Sequence, residues 1–248
     1  MSLWRLEWLR LVRSRRLLVL VVVYVFFGLT GPLSARYLGQ ILDRVGGGIK
    51  VELPPPRPVD GLAQFASNAS QICLLVVVLV AAAGLALDSR TELAIFLRTR
   101  VANVQALIVP SYVMTSLAAA GAFVLGALAA WYETAVLLGT PPTGRVLAGI
   151  VLTSLFLLFA VALTAAAAYL VRGVLATAGV TIVLLLVLAL LGNIPAIGKW
   201  LPTTLLSSLP GLAGGEPWSK YLWAALVTLV ATVGALVAAI RLADRREL

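Results

Sequence analysis

The side chains that do most enzyme chemistry are sparse in this 248-residue sequence. Histidine is absent and cysteine occurs once, as Cys73. Without imidazole there is no His-based metal site, no nucleophile–histidine pair and no imidazole proton relay. A lone thiol cannot close an intramolecular disulfide, and Cys73, set among apolar neighbours, reads as a packing residue. No GxxxxGK[ST] loop is present, so the chain carries no P-loop for ATP. Nineteen Lys and Arg against ten Asp and Glu give a net charge of +9. In a soluble chain that excess would point to nucleic acid. Here the charges are confined, leaving six charge-free stretches at 17–35, 61–87, 101–132, 146–171, 173–198 and 221–240. Ion-coupled transporters and intramembrane enzymes usually hold an ionisable side chain inside the bundle, and these stretches hold none. Coordination of sodium by backbone carbonyls at Pro- and Gly-bearing breaks stays open.

What remains is the chemistry of surfaces and docking. Ser89-Arg90-Thr91-Glu92 reads as a capping box, in which the Ser89 hydroxyl and the Glu92 carboxylate satisfy free backbone N–H groups. Leu93, Leu97, Val101 and Val104 follow as one helical stripe, decorated by Arg90, Arg98 and Arg100. At the N-terminus Trp4, Trp8, Leu11 and Val12 fall on one face, with Glu7, Arg10 and Arg13 on the other. Such a helix lies in the headgroup layer, rings down and guanidinium groups toward anionic lipid.

The elements that position these groups follow from composition. The chain is 61% hydrophobic and 12% charged, with a mean hydropathy of +1.05. A soluble domain has about 45–50% apolar and about 25% charged residues, so lipid must be the solvent. Each charge-free stretch approaches or exceeds the ~20 residues that a spanning helix needs. The reading is therefore an all-α integral membrane protein with six transmembrane helices in a single domain, 1–248. Basic residues before the first stretch resemble a signal peptide, but no convincing small-residue cleavage site stands in the expected place, so that stretch reads as a retained span. With the N-terminus inside, the inner segments 1–16, 88–100, Arg172 and 241–248 hold twelve of the nineteen basic residues. That asymmetry fits the positive-inside rule and an N-in, C-in layout.

The segment 36–68 reads as an external loop, marked by three glycines at 46–48 and by Pro54-Pro55-Pro56-Arg57-Pro58. The region 88–106 reads as a cytoplasmic helix. Ala122 and Gly126 form a small-xxx-small pair that predicts close helix packing. Trp131, Tyr132, Trp200, Trp218, Tyr221 and Trp223 fall where an outer aromatic belt belongs. The region 192–220 is irregular yet apolar, with Pro195, Pro202 and Pro210. Backbone of that kind is tolerated near a bilayer only when buried in protein or lining a wet cavity, so two short broken helices dipping into the outer leaflet are expected.

Taken in order along the chain, these features resemble the permease subunit of bacterial type-2 ABC exporters. Residues 2–16 resemble that family's elbow helix. Asp88-Ser89-Arg90-Thr91-Glu92 with Leu97-Arg98-Thr99-Arg100 is similar to its loop between spans two and three. Leu201-Pro202 with Leu205-Leu206-Ser207-Ser208-Leu209-Pro210 resembles its proline-bearing re-entrant segment. Uncharged, mostly apolar residues at 101–109 stand where the family usually has a lysine or arginine. The resemblance implies ATPase docking through Glu92, Phe96, Arg98 and Arg100, membrane-interface contacts through Trp4, Trp8, Arg10 and Arg13, and a re-entrant gate at Pro195, Pro202 and Pro210. It further implies no cofactor on this chain, ATP and Mg on a partner ATPase chain, a second permease copy or paralogue, surrounding lipid, and a multi-pass place in the bacterial cell membrane. From the residues alone, a non-transporting scaffold or sensor and a secondary transporter with broken helices remain open.

Overall fold

The structure, a computed structural model, describes residues 3–45, 55–85 and 105–245. The expected docking residues Glu92, Phe96, Arg98 and Arg100 lie outside the described residues. Every regular element among those described is helical. They are α1 (Leu3–Arg13), α2 (Arg16–Val45), α3 (Pro58–Asn68), α4 (Leu74–Leu85), α5 (Gln105–Leu137), α6 (Thr143–Leu170), α7 (Val174–Gly192), α8 (Pro195–Gly198), α9 (Ser208–Ala213) and α10 (Ser219–Arg245). A π-helical turn, Ala69–Cys73, joins α3 to α4, and a 3₁₀ segment, Pro202–Ser207, precedes α9. Among the described residues six helical stretches are long and apolar enough to cross a membrane: Arg16–Leu38, Pro58–Leu85, Ile108–Leu137, Thr143–Leu170, Val174–Gly192 and Ser219–Arg245.

The connection read as a loop over 36–68 is shorter than expected. Helix α2 continues to Val45 and α3 begins at Pro58. Proline suits a first helical turn, where its missing N–H would have had no partner. Asp60 completes the start by accepting the Arg57 backbone N–H at 2.8 Å. The fifth charge-free stretch is likewise cut back, because α7 ends at Gly192.

Close backbone approach holds α2 against α5. A Cβ on Gly126 would meet the Tyr24 carbonyl oxygen at 2.5 Å, and one on Gly28 would strike the Gly126 carbonyl. The expected packing at the Ala122–Gly126 pair is thus realised, with Ala122 buried. Around this seam Tyr24 meets Phe123 edge-on at 5.7 Å between ring centroids, and Phe65 stacks on Phe123 at 5.8 Å. Between apolar helices in lipid, such van der Waals packing replaces the hydrophobic drive available in water.

Helix α6 forms the centre and touches α4, α5, α7, α9 and α10. Its stretch Ala160, Val161, Ala162, Ala165, Ala166, Ala167 and Ala168 is buried around the full circumference. Small side chains there let neighbours approach from every side. Thr164 returns its hydroxyl to the Ala160 carbonyl at 2.8 Å, satisfying a polar group that lipid could not.

Loop contacts sort the helix ends into two groups. Arg36 donates to the Leu137 carbonyl at 2.5 Å, placing a cation on the carbonyl-rich C-terminus of α5. A Cβ on Gly214 would touch Val59 at 3.6 Å, and one on Gly215 would lie 3.3 Å from an Arg145 guanidinium nitrogen. Trp200 and Trp223 rings lie 5.1 Å apart. The ends near residues 36, 59, 137, 145, 200 and 215 therefore share one pole. At the opposite pole, a Cβ on Gly84 would lie 3.5 Å from Arg16 Nη1 and 3.6 Å from Thr115 Oγ1.

Helix α1 docks on α5 and turns into α2 through Arg15, which adopts a left-handed φ of 57°. Its faces divide differently from the sequence reading. Trp4, Trp8 and Val12 are exposed together, whereas Leu11 is buried. Arg10 pairs with Glu7 at 3.4 Å, both half-buried beside Leu11. Pairing with Glu7 offsets the Arg10 charge, so the bundle-facing side tolerates it.

Candidate functional site

A cleft of about 390 Å³ opens between the Pro58–Leu85 stretch, α7 and the 3₁₀ segment. Leu74 and Val78 of α4, Ile182 and Leu185 of α7, and Phe156 of α6 form apolar walls. Ser70, Gln71 and Thr203 supply the polar lining. The volume lies within the ~300–1,000 Å³ range of small-molecule sites, which are mostly apolar with a few polar groups.

The π turn shapes this cleft. The Leu74 N–H bonds back to the Ala69 carbonyl, so one extra residue enters the turn and the helix widens locally. Ser70 Oγ donates to the Ser67 carbonyl at 2.9 Å, and Gln71 Nε2 to Ser67 Oγ at 3.0 Å. Single π turns within α-helices recur at functional sites. Cys73 closes the turn and is buried as a free thiol, in keeping with a packing role.

The floor is the segment that follows α7, and it is bound to α6 by hydroxyls. Thr153 Oγ1 lies 3.2 Å from the Leu205 carbonyl and 3.1 Å from Ser208 Oγ. Ser208 Oγ lies 2.6 Å from the Leu205 carbonyl and 3.3 Å from that of Gly149. Gly149 makes the approach possible, since a Cβ there would sit 2.6 Å from Leu209 Cα. Leu205, Leu209 and Leu212 then bury their side chains. Two of the three singled-out prolines open helical pieces: Pro195 begins α8 and Pro202 the 3₁₀ segment, while Pro210 lies within α9. The irregular region therefore forms three short helices instead of the two expected, packed against the bundle. Pro195 is exposed and Pro202 buried.

A second cluster fastens this region to α10. Tyr221, its ring fully buried, lies with its hydroxyl 2.5 Å from Glu216 Oε2 and 3.3 Å from the Ser207 carbonyl. Lys220 Nζ donates to Glu216 Oε1 at 2.7 Å. The Lys220 hydrogen bond, followed by that from Tyr221, holds the Glu216 carboxyl below its ordinary pKa. Tyr221 thus faces inward, unlike Tyr132, Trp218 and Trp223, which are exposed. Its partner Glu216, five residues earlier, is the trace in the sequence that distinguishes it from a belt residue. Nothing in the sequence singles out Gly149, Thr153 or Gln71, and Ser208 enters only within the proline-bearing motif. Small or neutral polar residues are common in spans, and their contacts come from distant segments.

Among the described residues no group of three or more Cys, Asp or Glu could hold a metal ion. No protein-family model, curated protein or solved structure matches the chain.

Proposed function

We propose that the chain is the membrane-spanning permease subunit of an ATP-driven exporter of the type-2 ABC class, carrying an amphipathic or hydrophobic cargo out of the cell. The observation that carries this reading is the apolar cleft of about 390 Å³ among helices long enough to span a bilayer. The sequence carries no P-loop, so in this reading ATP is hydrolysed on a partner chain. The order of features along the sequence supports the family: α1 as elbow helix, the basic sequence at 88–100, and short proline-led helices before the last span.

In this reading the N- and C-termini face the cytoplasm and the pole near residues 36, 59, 137 and 215 faces outward. The short helices of 192–220 are then re-entrant from the outer side, and Pro195, Pro202 and Pro210 belong to a gate. Two permeases, identical or paired with a paralogue, enclose the pathway. Two ATPase chains with ATP and Mg bind below, against Glu92, Phe96, Arg98 and Arg100. ATP stabilises one arrangement of the assembly only by binding it more tightly than the other, and closure of the ATPase pair is transmitted through segment 92–100.

Charge reversal tests the docking. With Arg98→Glu and Arg100→Glu together, the permease should still insert but should lose the ATPase on affinity purification from native membranes. Undiminished co-purification of an ATPase would remove those arginines from the docking surface. Absence of any ATPase with the unmutated chain would remove the exporter reading itself.

A further inference from the structure

The cleft has a polar end and an apolar end. Gly192 sits at the end of α7, and a Cβ there would lie 3.0 Å from Thr203 Oγ1. Thr203 thus marks the pole at which α7 ends and Pro58–Leu85 begins. Ser70 and Gln71 lie closer to that pole than Val78, about 12 Å further along the helix at 1.5 Å per residue. Ile182 of α7 is correspondingly deeper than Ala189. The polar groups therefore gather toward one end of the cleft, and the walls beyond them are purely aliphatic and aromatic.

The lining contains neutral polar groups and no charged side chain. An ionised head drawn into it would lose water with no counter-charge to replace it, which is costly. A hydroxyl, ester or amide head loses less. Gln71 retains an amide oxygen and a second N–H beyond its bond to Ser67, and Ser70 retains acceptor capacity on its hydroxyl. The volume lies near the lower end of the small-molecule range, which favours one chain over two. From this geometry we infer that the cleft binds a neutral single-chain amphiphile, its head at Ser70, Gln71 and Thr203 and its tail along Leu74, Val78 and Ile182. The inference rests on the cargo-binding reading above and specifies the chemical class.

Photolabelling of the full chain in phosphatidylcholine nanodiscs tests it. The probe is a monoacylglycerol carrying a diazirine in its acyl chain, with alkyl sulfate and alkyl trimethylammonium diazirines of equal length as charged comparisons. Saturable labelling of peptides containing 74–78 and 182–189 is expected, with the neutral probe favoured at least about tenfold, equivalent to about 1.4 kcal/mol. Leu186→Trp, at an exposed position lining the cleft, should abolish labelling without unfolding the chain. Gln71→Ala should weaken the neutral probe alone. Equal labelling by the charged probes, labelling indifferent to Leu186→Trp, or a cleft closed by a second copy in a Leu186→Cys disulfide trap would each overturn the assignment. Neutral labelling in a chain that binds no ATPase would sink the exporter reading and leave the cleft standing.

Discussion

Glu216 is the residue whose ionisation the fold uses most visibly. Its carboxylate receives Lys220 and Tyr221, and its folded pKa lies below the ordinary value of 4.5. A depressed carboxyl pKa contributes stability that is complete above the unfolded value and is lost as pH falls through the lower folded value. Thermal unfolding in detergent should therefore show Glu216→Gln melting below the unmutated protein at neutral pH. The two curves should converge in acid, below the ordinary carboxylate range. A gap independent of pH would assign the effect to shape and not to charge. The carboxylate is partly exposed, so screening limits the effect. Tyr221 shows why such a site is hard to read beforehand. An aromatic residue at the start of an apolar helix has the composition of a belt residue. Only the neighbouring backbone of Ser207 and the carboxylate of Glu216 turn it inward.

Among the elements, the long helices were legible because charge is excluded from apolar spans, and confinement of charge is a direct sequence property. The irregular region expected from 192 begins where α7 ends, at Gly192, while α2 runs past the charge at Arg36 to Val45 and α3 starts at Pro58, ten residues before the expected end of the loop. The π turn left no comparable trace, since Ala69–Cys73 carries no proline, glycine or charge to mark it. Nor did the faces of α1, which depend on whether Leu11 or Trp8 meets α5. The seat of α9 depends on a single missing side chain. Gly149→Ala would drive a methyl into Leu209 Cα, so α9 must shift outward at a cost of about 1–3 kcal/mol, the usual range for overpacking. A lowered unfolding midpoint together with weaker labelling of the cleft would show that this seat supports the site. An unchanged midpoint would show that α9 moves freely over α6.

For the molecule as a whole, the two poles are a structural result and their sidedness is a prediction. A cysteine placed at exposed Pro56, in a Cys73→Ser background, should react with an impermeant maleimide on intact cells. Labelling only after lysis would invert the orientation and with it the proposed direction of gating. The expected sidedness rests on twelve of the nineteen basic residues falling in the segments read as inner, a bias that no contact among the described residues encodes. The central place of α6 has a consequence for biosynthesis. During translation it emerges before α7, α9 and α10, three of the elements that sheathe it, and Thr153 has neither Leu205 nor Ser208 to bond until residues more than fifty positions later have been made. The core thus stays open on one side until the C-terminal helix leaves the ribosome. A nascent chain arrested before Ser219 should be the form that chaperones and membrane proteases recognise.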